Sequence, residues 1–194
     1  QKIFDECGHA LHNGIMLAFI LAIPATLLGT YYSVEIAELF LQDSDVIPQC
    51  ADYMHVGFYG IGFVLIGFVF QGFYTGVEQT KIHMKVTIVS NLINVYLNAG
   101  LIYGTDGVTA FFEKIGIPWM AVLWQWYDFP AMAVKGAALA TVIASGWMVV
   151  QYSFHILNEK VKKYKPLQFQ YSSKNLIQQM KLGFPIGAQE VISM

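Results

Sequence analysis

Residues 80–104, TKIHMKVTIVSNLINVYLNAGLIYG, make two demands at once on any fold that contains them. The run is long and apolar enough to cross a bilayer, yet it carries Thr87, Asn91, Asn94 and Asn98. At about 100° per residue these four fall within roughly 60° of one another, so a helix here has one polar face. A side-chain amide in hydrocarbon without a partner costs several kcal/mol, which keeps that face away from lipid. It has to look at other helices or at a water-filled cavity. Spacing alone leaves two readings open. The stripe is hydrogen-bond glue between packed helices, at about 0.6 kcal/mol per contact. Alternatively it lines a transport cavity, where amides offer donors and acceptors to an ion or a substrate.

With 56% hydrophobic, 15% aromatic and only 12% charged residues among 194, the chain has more apolar surface than one soluble core can hide. The predicted class is all-α, a polytopic membrane protein. A net charge of −2 and no basic, aromatic-interleaved stripe exclude nucleic acid as an expected partner.

Four spans are expected, at 13–33, 53–75, 84–103 and 134–156, each close to the ~20 residues that cross a hydrocarbon core of about 30 Å. Pro24 should kink the first. Gly57, Gly60, Gly62, Gly67 and Gly72 in the second, and Gly136, Ala138, Ala140, Ala144 and Gly146 in the fourth, allow close helix approach, with Thr141 an inward polar candidate.

The connections differ in chemistry. Residues 1–12 read as a polar lead-in; Asp5, Glu6, Cys7, His9 and His12 lack a second cluster to close a metal shell, so no metal site is expected. The link before the second span is acidic, with Glu35, Glu38, Asp43, Asp45 and Asp52. His55 is expected to be a satisfied interfacial residue. Residues 105–133 are too polar, and too interrupted by Pro118 and Pro130, to cross; Trp119, Trp124, Trp126 and Tyr127 suit a segment in the headgroup belt.

The link at 158–175 is basic, and 176–194 begins a fifth span containing Glu190. A charge at mid-membrane costs about 2.5 to 3.5 kcal/mol, which makes this carboxylate a functional candidate beside the plain alternative of a hydrogen-bonded glutamate near the entrance.

The chain has no Arg, so lysines set the orientation. Lys2, Lys81, Lys85, Lys160, Lys162, Lys163, Lys165, Lys174 and Lys181 fall on one side of the alternating topology, which is therefore the expected cytoplasmic side. Lys114 and Lys135 fall on the other. Cys7 and Cys50 then lie on opposite sides and cannot pair. The sequence opens on Gln1 without a leader pattern, and both ends read as cut from a longer chain.

The pattern TK..M......NLINVYLNAGLIYG, followed by VKGAALATVIA and, after the basic link, by KLGFPIGAQE, resembles the multidrug and toxic compound extrusion (MATE) transporters. The likeness runs from the third helix of that family's first six-helix bundle to the start of its seventh helix. It implies that 1–157 is part of the first bundle, 158–175 the cytoplasmic inter-bundle link and 176–194 the start of the second.

It also implies a secondary antiporter of the cell membrane, not an enzyme. Such a protein exports organic, often cationic compounds in exchange for Na⁺ or H⁺, with no other cofactor, and its partners are the substrate, the bilayer and the remaining helices of its own chain. Asn94 and Asn98 match the family's polar cluster, with Thr141 a plausible sixth-helix partner and Thr87, Asn91 and Glu190 further cavity candidates. Some members have aspartate where this chain has Asn98, and an amide cannot carry a proton. The rival functions are a lipid-linked saccharide flippase of the same superfamily, which the lack of central cations disfavours, and a non-transporting structural subunit.

Overall fold

In the computed structural model, residues 2–162 are described, together with 164, 166, 176–178 and 180–181; for 2–5 and 160 only the backbone is. The regular structure of the described residues is helical: α1 Lys2–Tyr31, α2 Ser33–Phe40, α3 Ile47–Gly76, α4 Thr80–Lys114, a 3-10 turn Pro118–Ala121, α5 Val122–Gln125, α6 Ala133–His155 and α7 Glu159–Lys162. Four stretches, Glu6–Tyr31, Ile47–Gly76, Thr80–Lys114 and Ala133–His155, are long and apolar enough to cross a membrane. The protein is an all-α, multi-pass membrane protein.

The four long helices stand in an open row, α1–α3–α6–α4. Small residues set the spacing. A Cβ on Gly29 of α1 would meet the Phe58 ring of α3 at 2.2 Å, and one on Gly60 of α3 would meet Val142 of α6 at 2.7 Å. At the α6–α4 contact, a Cβ on Gly136 would lie 2.3 Å from the Leu101 carbonyl oxygen, so only glycine lets the backbones approach this closely. Large apolar side chains on the outer faces, Phe19, Leu27 and Leu28 of α1 among them, are left exposed, as lipid or further helices require.

Buried side chains gather toward the two ends of the long helices. Near the α3–α4 turn, Leu11, Phe70, Phe73, Tyr74, Val86, Tyr152 and Val161 form one cluster. At the far end Leu101, Val108, Phe112, Ala121, Trp124 and Ala140 form the other. Between the two lies the polar part of α4. Also at the far end, Lys135 at the start of α6 pairs with Asp52 near the start of α3 at 3.0 Å. A lysine on the minority side of the expected topology thus has its counter-charge in the acidic link.

Two expectations change. The lead-in at 1–12 is not a separate segment but the first turns of α1, because Leu11 and the half-buried Cys7 pack into the cluster with Phe73 and Val77. Nor does α4 stop at 103–104. It breaks at Gly104 (φ 72°, ψ 178°), a region open to glycine alone, and continues helically to Lys114. Val108 and Phe112, spaced i to i+4, give 105–114 an apolar stripe that packs on Ala121 and Trp124, which outweighs its polar start.

The break is bridged by hydrogen bonds to the segment that leads into α6. The Thr105 amide donates to Phe129 O (3.0 Å) and the Leu101 carbonyl accepts from Met132 N (2.9 Å), so two groups that would pair with each other in a straight helix are exchanged onto 129–132. The Thr105 hydroxyl accepts from Phe129 N at 2.9 Å, and the Tyr96 hydroxyl donates to Met120 O at 2.7 Å, pinning the 118–129 segment to α4. Its aromatics are divided: Trp124 is buried over Gly100, while Trp119, Trp126 and Tyr127 point outward.

Candidate ion and substrate site

The α4–α6 seam carries side-chain hydrogen bonds along most of its length. Asn98 Nδ2 donates to Asn94 Oδ1 (3.0 Å), Asn94 Nδ2 donates to Thr141 Oγ1 (3.4 Å), and the Thr141 hydroxyl donates to Ala137 O (3.1 Å). This directional chain starts on α4, crosses to α6 and ends on the α6 backbone. The i, i+4 spacing of Asn94 and Asn98 puts the two amides one above the other, and α6 runs antiparallel to α4 so that Thr141 meets Asn94.

One turn toward the α3–α4 turn, Gln151 Nε2 donates to the buried Ser90 hydroxyl at 3.2 Å. A further two turns along, His83 Nδ1 lies 2.6 Å from Tyr152 Oη and 3.4 Å from Thr87 Oγ1. The Tyr74 hydroxyl of α3 donates to the Tyr152 carbonyl at 2.7 Å.

Beside the amide chain is an open pocket of about 250 Å³ lined by Ser90, Asn91, Asn94, Thr141, Ala144, Ser145 and Met148. Four of the sequence candidates, Asn91, Asn94, Asn98 and Thr141, therefore fall in or against one site. Asn91 and Thr141 are exposed, whereas Asn94 and Asn98 are half-buried. Thr87 turns instead to His83, away from the pocket lining. Glu190 lies outside the described residues.

Among the described residues, Asn98 Oδ1 is a buried acceptor with no donor. Leaving such a group unmade costs about 1 to 3 kcal/mol. Among the same residues no three His, Cys, Asp or Glu side chains come together as a metal cluster.

Sequence reasoning missed His83, Ser90, Ser145, Gln151 and Tyr152. The signal for the first was present: His83 stands one turn before Thr87, about 40° from it on the helical wheel, so it extends the same face. Ser145 and Tyr152 share a face with Thr141 at i+4 and i+11, but a tyrosine near a helix end reads as an interfacial anchor, and only the packing shows Tyr152 to be fully buried.

The MatE family model matches residues 1–99 of the chain. The multidrug resistance protein NorM of Vibrio cholerae is 23% identical over 184 residues, covering 92% of this chain and 35% of that protein. The Bacillus subtilis protein named probable multidrug resistance protein YoeA is 25% identical over 187 residues, with coverage of 92% and 35%. The Photorhabdus laumondii protein named probable multidrug resistance protein NorM is 27% identical over 186 residues, with coverage of 95% and 36%. The chain thus spans about a third of the length of these curated relatives. No solved structure matches it.

Proposed function

The chain belongs to the MatE family, and from that premise we propose that it is part of a secondary active antiporter that exports organic, cationic compounds in exchange for Na⁺ or H⁺. In this reading residues 1–157 belong to the first of two bundles, 158–175 link the bundles on the cytoplasmic side, and 176–194 open the second. The cell membrane is its site of action, and the uncovered faces of the row meet lipid and the remaining helices of the full-length protein. The names of the relatives support drug export as the task. The observation that carries the reading is the amide–hydroxyl chain that runs from Asn98, whose oxygen is buried and unpartnered, through Asn94 to Thr141 on the pocket wall. Asn91, Asn94, Asn98 and Thr141 coordinate the ion or its water as the helices alternate between outward and inward states, and no covalent step is involved.

The test is efflux of a fluorescent organic cation by the full-length protein in proteoliposomes. Hydrogen bonds to a charged group are worth about 1.5 to 3 kcal/mol, so Asn98→Leu should lower the apparent affinity for the coupling ion by about ten- to a hundredfold. Asn94→Leu should do the same and also free the Thr141 hydroxyl from α4. Unchanged efflux by both well-folded variants would return the stripe to the role of glue.

A further inference from the structure

The α4–α6 seam holds an imidazole that the amide site does not use. His83 is half-buried, with Nδ1 facing two hydroxyls, Tyr152 Oη at 2.6 Å and Thr87 Oγ1 at 3.4 Å. Its ring lies parallel to that of Tyr152 (6.3 Å between centroids, 12° between planes), and the column continues through Tyr74 at 5.4 Å and 19°. The groups facing it are Tyr152 from α6, Tyr74 of α3 behind Tyr152, and Thr87 on its own helix. Among the described residues no Asp or Glu is ion-paired with it. Thr87 is also the first position of the polar face that continues through Asn91, Asn94 and Asn98.

We propose that His83 is a proton-binding site of this bundle, set between α4 and α6 so that loading it reverses the hydrogen bond to Tyr152. This inference rests on the antiporter reading. It places a titratable side chain on the same helix as amides that cannot carry a proton.

Histidine is the side chain suited to gaining and losing a proton in the physiological range. In the neutral ring with hydrogen on Nε2, Nδ1 accepts the Tyr152 O–H. A proton arriving from water bonds to Nδ1, no other covalent bond breaks, and the ring goes from neutral to singly positive. Nδ1–H then donates to Tyr152 Oη. The phenol hydrogen can no longer point at the ring and turns to another oxygen, Thr87 Oγ1 being the one already on the same nitrogen. Release of the proton to water on the other side of the cycle restores the first arrangement.

The test uses the full-length protein in proteoliposomes, with ethidium as a fluorescent organic cation and a trapped pH-sensitive dye, across about pH 5 to 8. His83→Asn places an amide where Nδ1 sits, so it keeps a partner for Tyr152 but cannot titrate. The expected result is proton counter-movement with ethidium in the native protein and its loss in His83→Asn, along with loss of the pH dependence of the ethidium rate. Tyr152→Phe should keep the counter-movement with a displaced pH profile. Proton movement and a pH profile in His83→Asn equal to those of the native protein overturn the proposal, as does native ethidium export driven by Na⁺ with no proton movement. If the native protein exports no organic cation under either gradient, the antiporter reading falls and this inference with it. A direct measurement needs no variant: in ¹⁵N-histidine spectra of the native protein in lipid discs, the His83 ring should pass from the neutral to the doubly protonated form on acidification. A ring that stays in one form throughout overturns the proposal.

Discussion

The seam between α1 and α3 and the seam between α4 and α6 are built from similar helices to different ends. Along the first, contact is made by Gly14, Gly29 and Gly62 against Val69, Phe58 and Ala22, and the polar bonds go to backbone: the Thr26 hydroxyl donates to Phe58 O at 2.9 Å, and His55 Nδ1 lies 3.1 Å from Thr30 O. Along the second, Asn94 meets Thr141, Gln151 meets Ser90, and His83 meets Tyr152, side chain to side chain. A side chain bonded to a backbone carbonyl satisfies itself and ends the matter. Side chains bonded to each other can exchange partners, and so can respond to an ion or a proton. The comparison therefore separates a seam closed by bonds to backbone from a seam whose side chains bond one another.

The largest effect expected on either seam comes from Gly136→Val. Its Cβ would meet the Leu101 backbone, which cannot yield, and overpacking of this kind costs about 1 to 3 kcal/mol or more. Gly29→Ala on the first seam meets a Phe58 ring instead and should lower thermal stability less. Equal losses from the two would mean that the seams are equally compliant. A smaller effect should come from Thr26→Val, which removes one membrane hydrogen bond worth about 0.6 kcal/mol and leaves transport unchanged; Gln151→Leu, at a similar cost in stability, should slow it. The smallest is Asp52→Asn. The Lys135 pair is about half exposed, with side-chain accessibilities of 49% and 55%, and such pairs contribute about 0 to 1 kcal/mol. Its loss should register as a slight fall in melting temperature at low salt that vanishes at high salt.

How much of this could be read from the sequence follows the range of the interactions. Helix existence and class were legible because about twenty apolar residues with few charges have few alternatives. The asparagine stripe was legible because four residues on one helix fix their own face. What packed against that stripe was not, since Thr141, Gln151 and Tyr152 lie far along the chain and each has an ordinary reading by itself. The helical course of 105–114 was hidden by Thr105 and Asp106, whose polarity suggested a loop, while the stripe of Val108 and Phe112 needed the partner segment 118–129 to become a reason for order. The division of the tryptophans was equally invisible. Trp124 is buried because Gly100 makes room for it, and Trp119 and Trp126 are left exposed. Quenching by lipids brominated near the headgroup should accordingly reach Trp126 and spare Trp124.

The exchanged hydrogen bonds at Gly104 have a consequence in time. As the chain is made from its N-terminus, Leu101 O and Thr105 N–H appear before Phe129 and Met132, and a straight helix would pair them with each other. Phe129 and Met132 are synthesised later, and only then can the two bonds be traded and the rod bend. In the finished fold the corner in α4 is held by the residues that lead into α6. A nascent chain halted before Met132 should hold its third span at a different depth from the finished one, and completion of the fourth span would pull it into register.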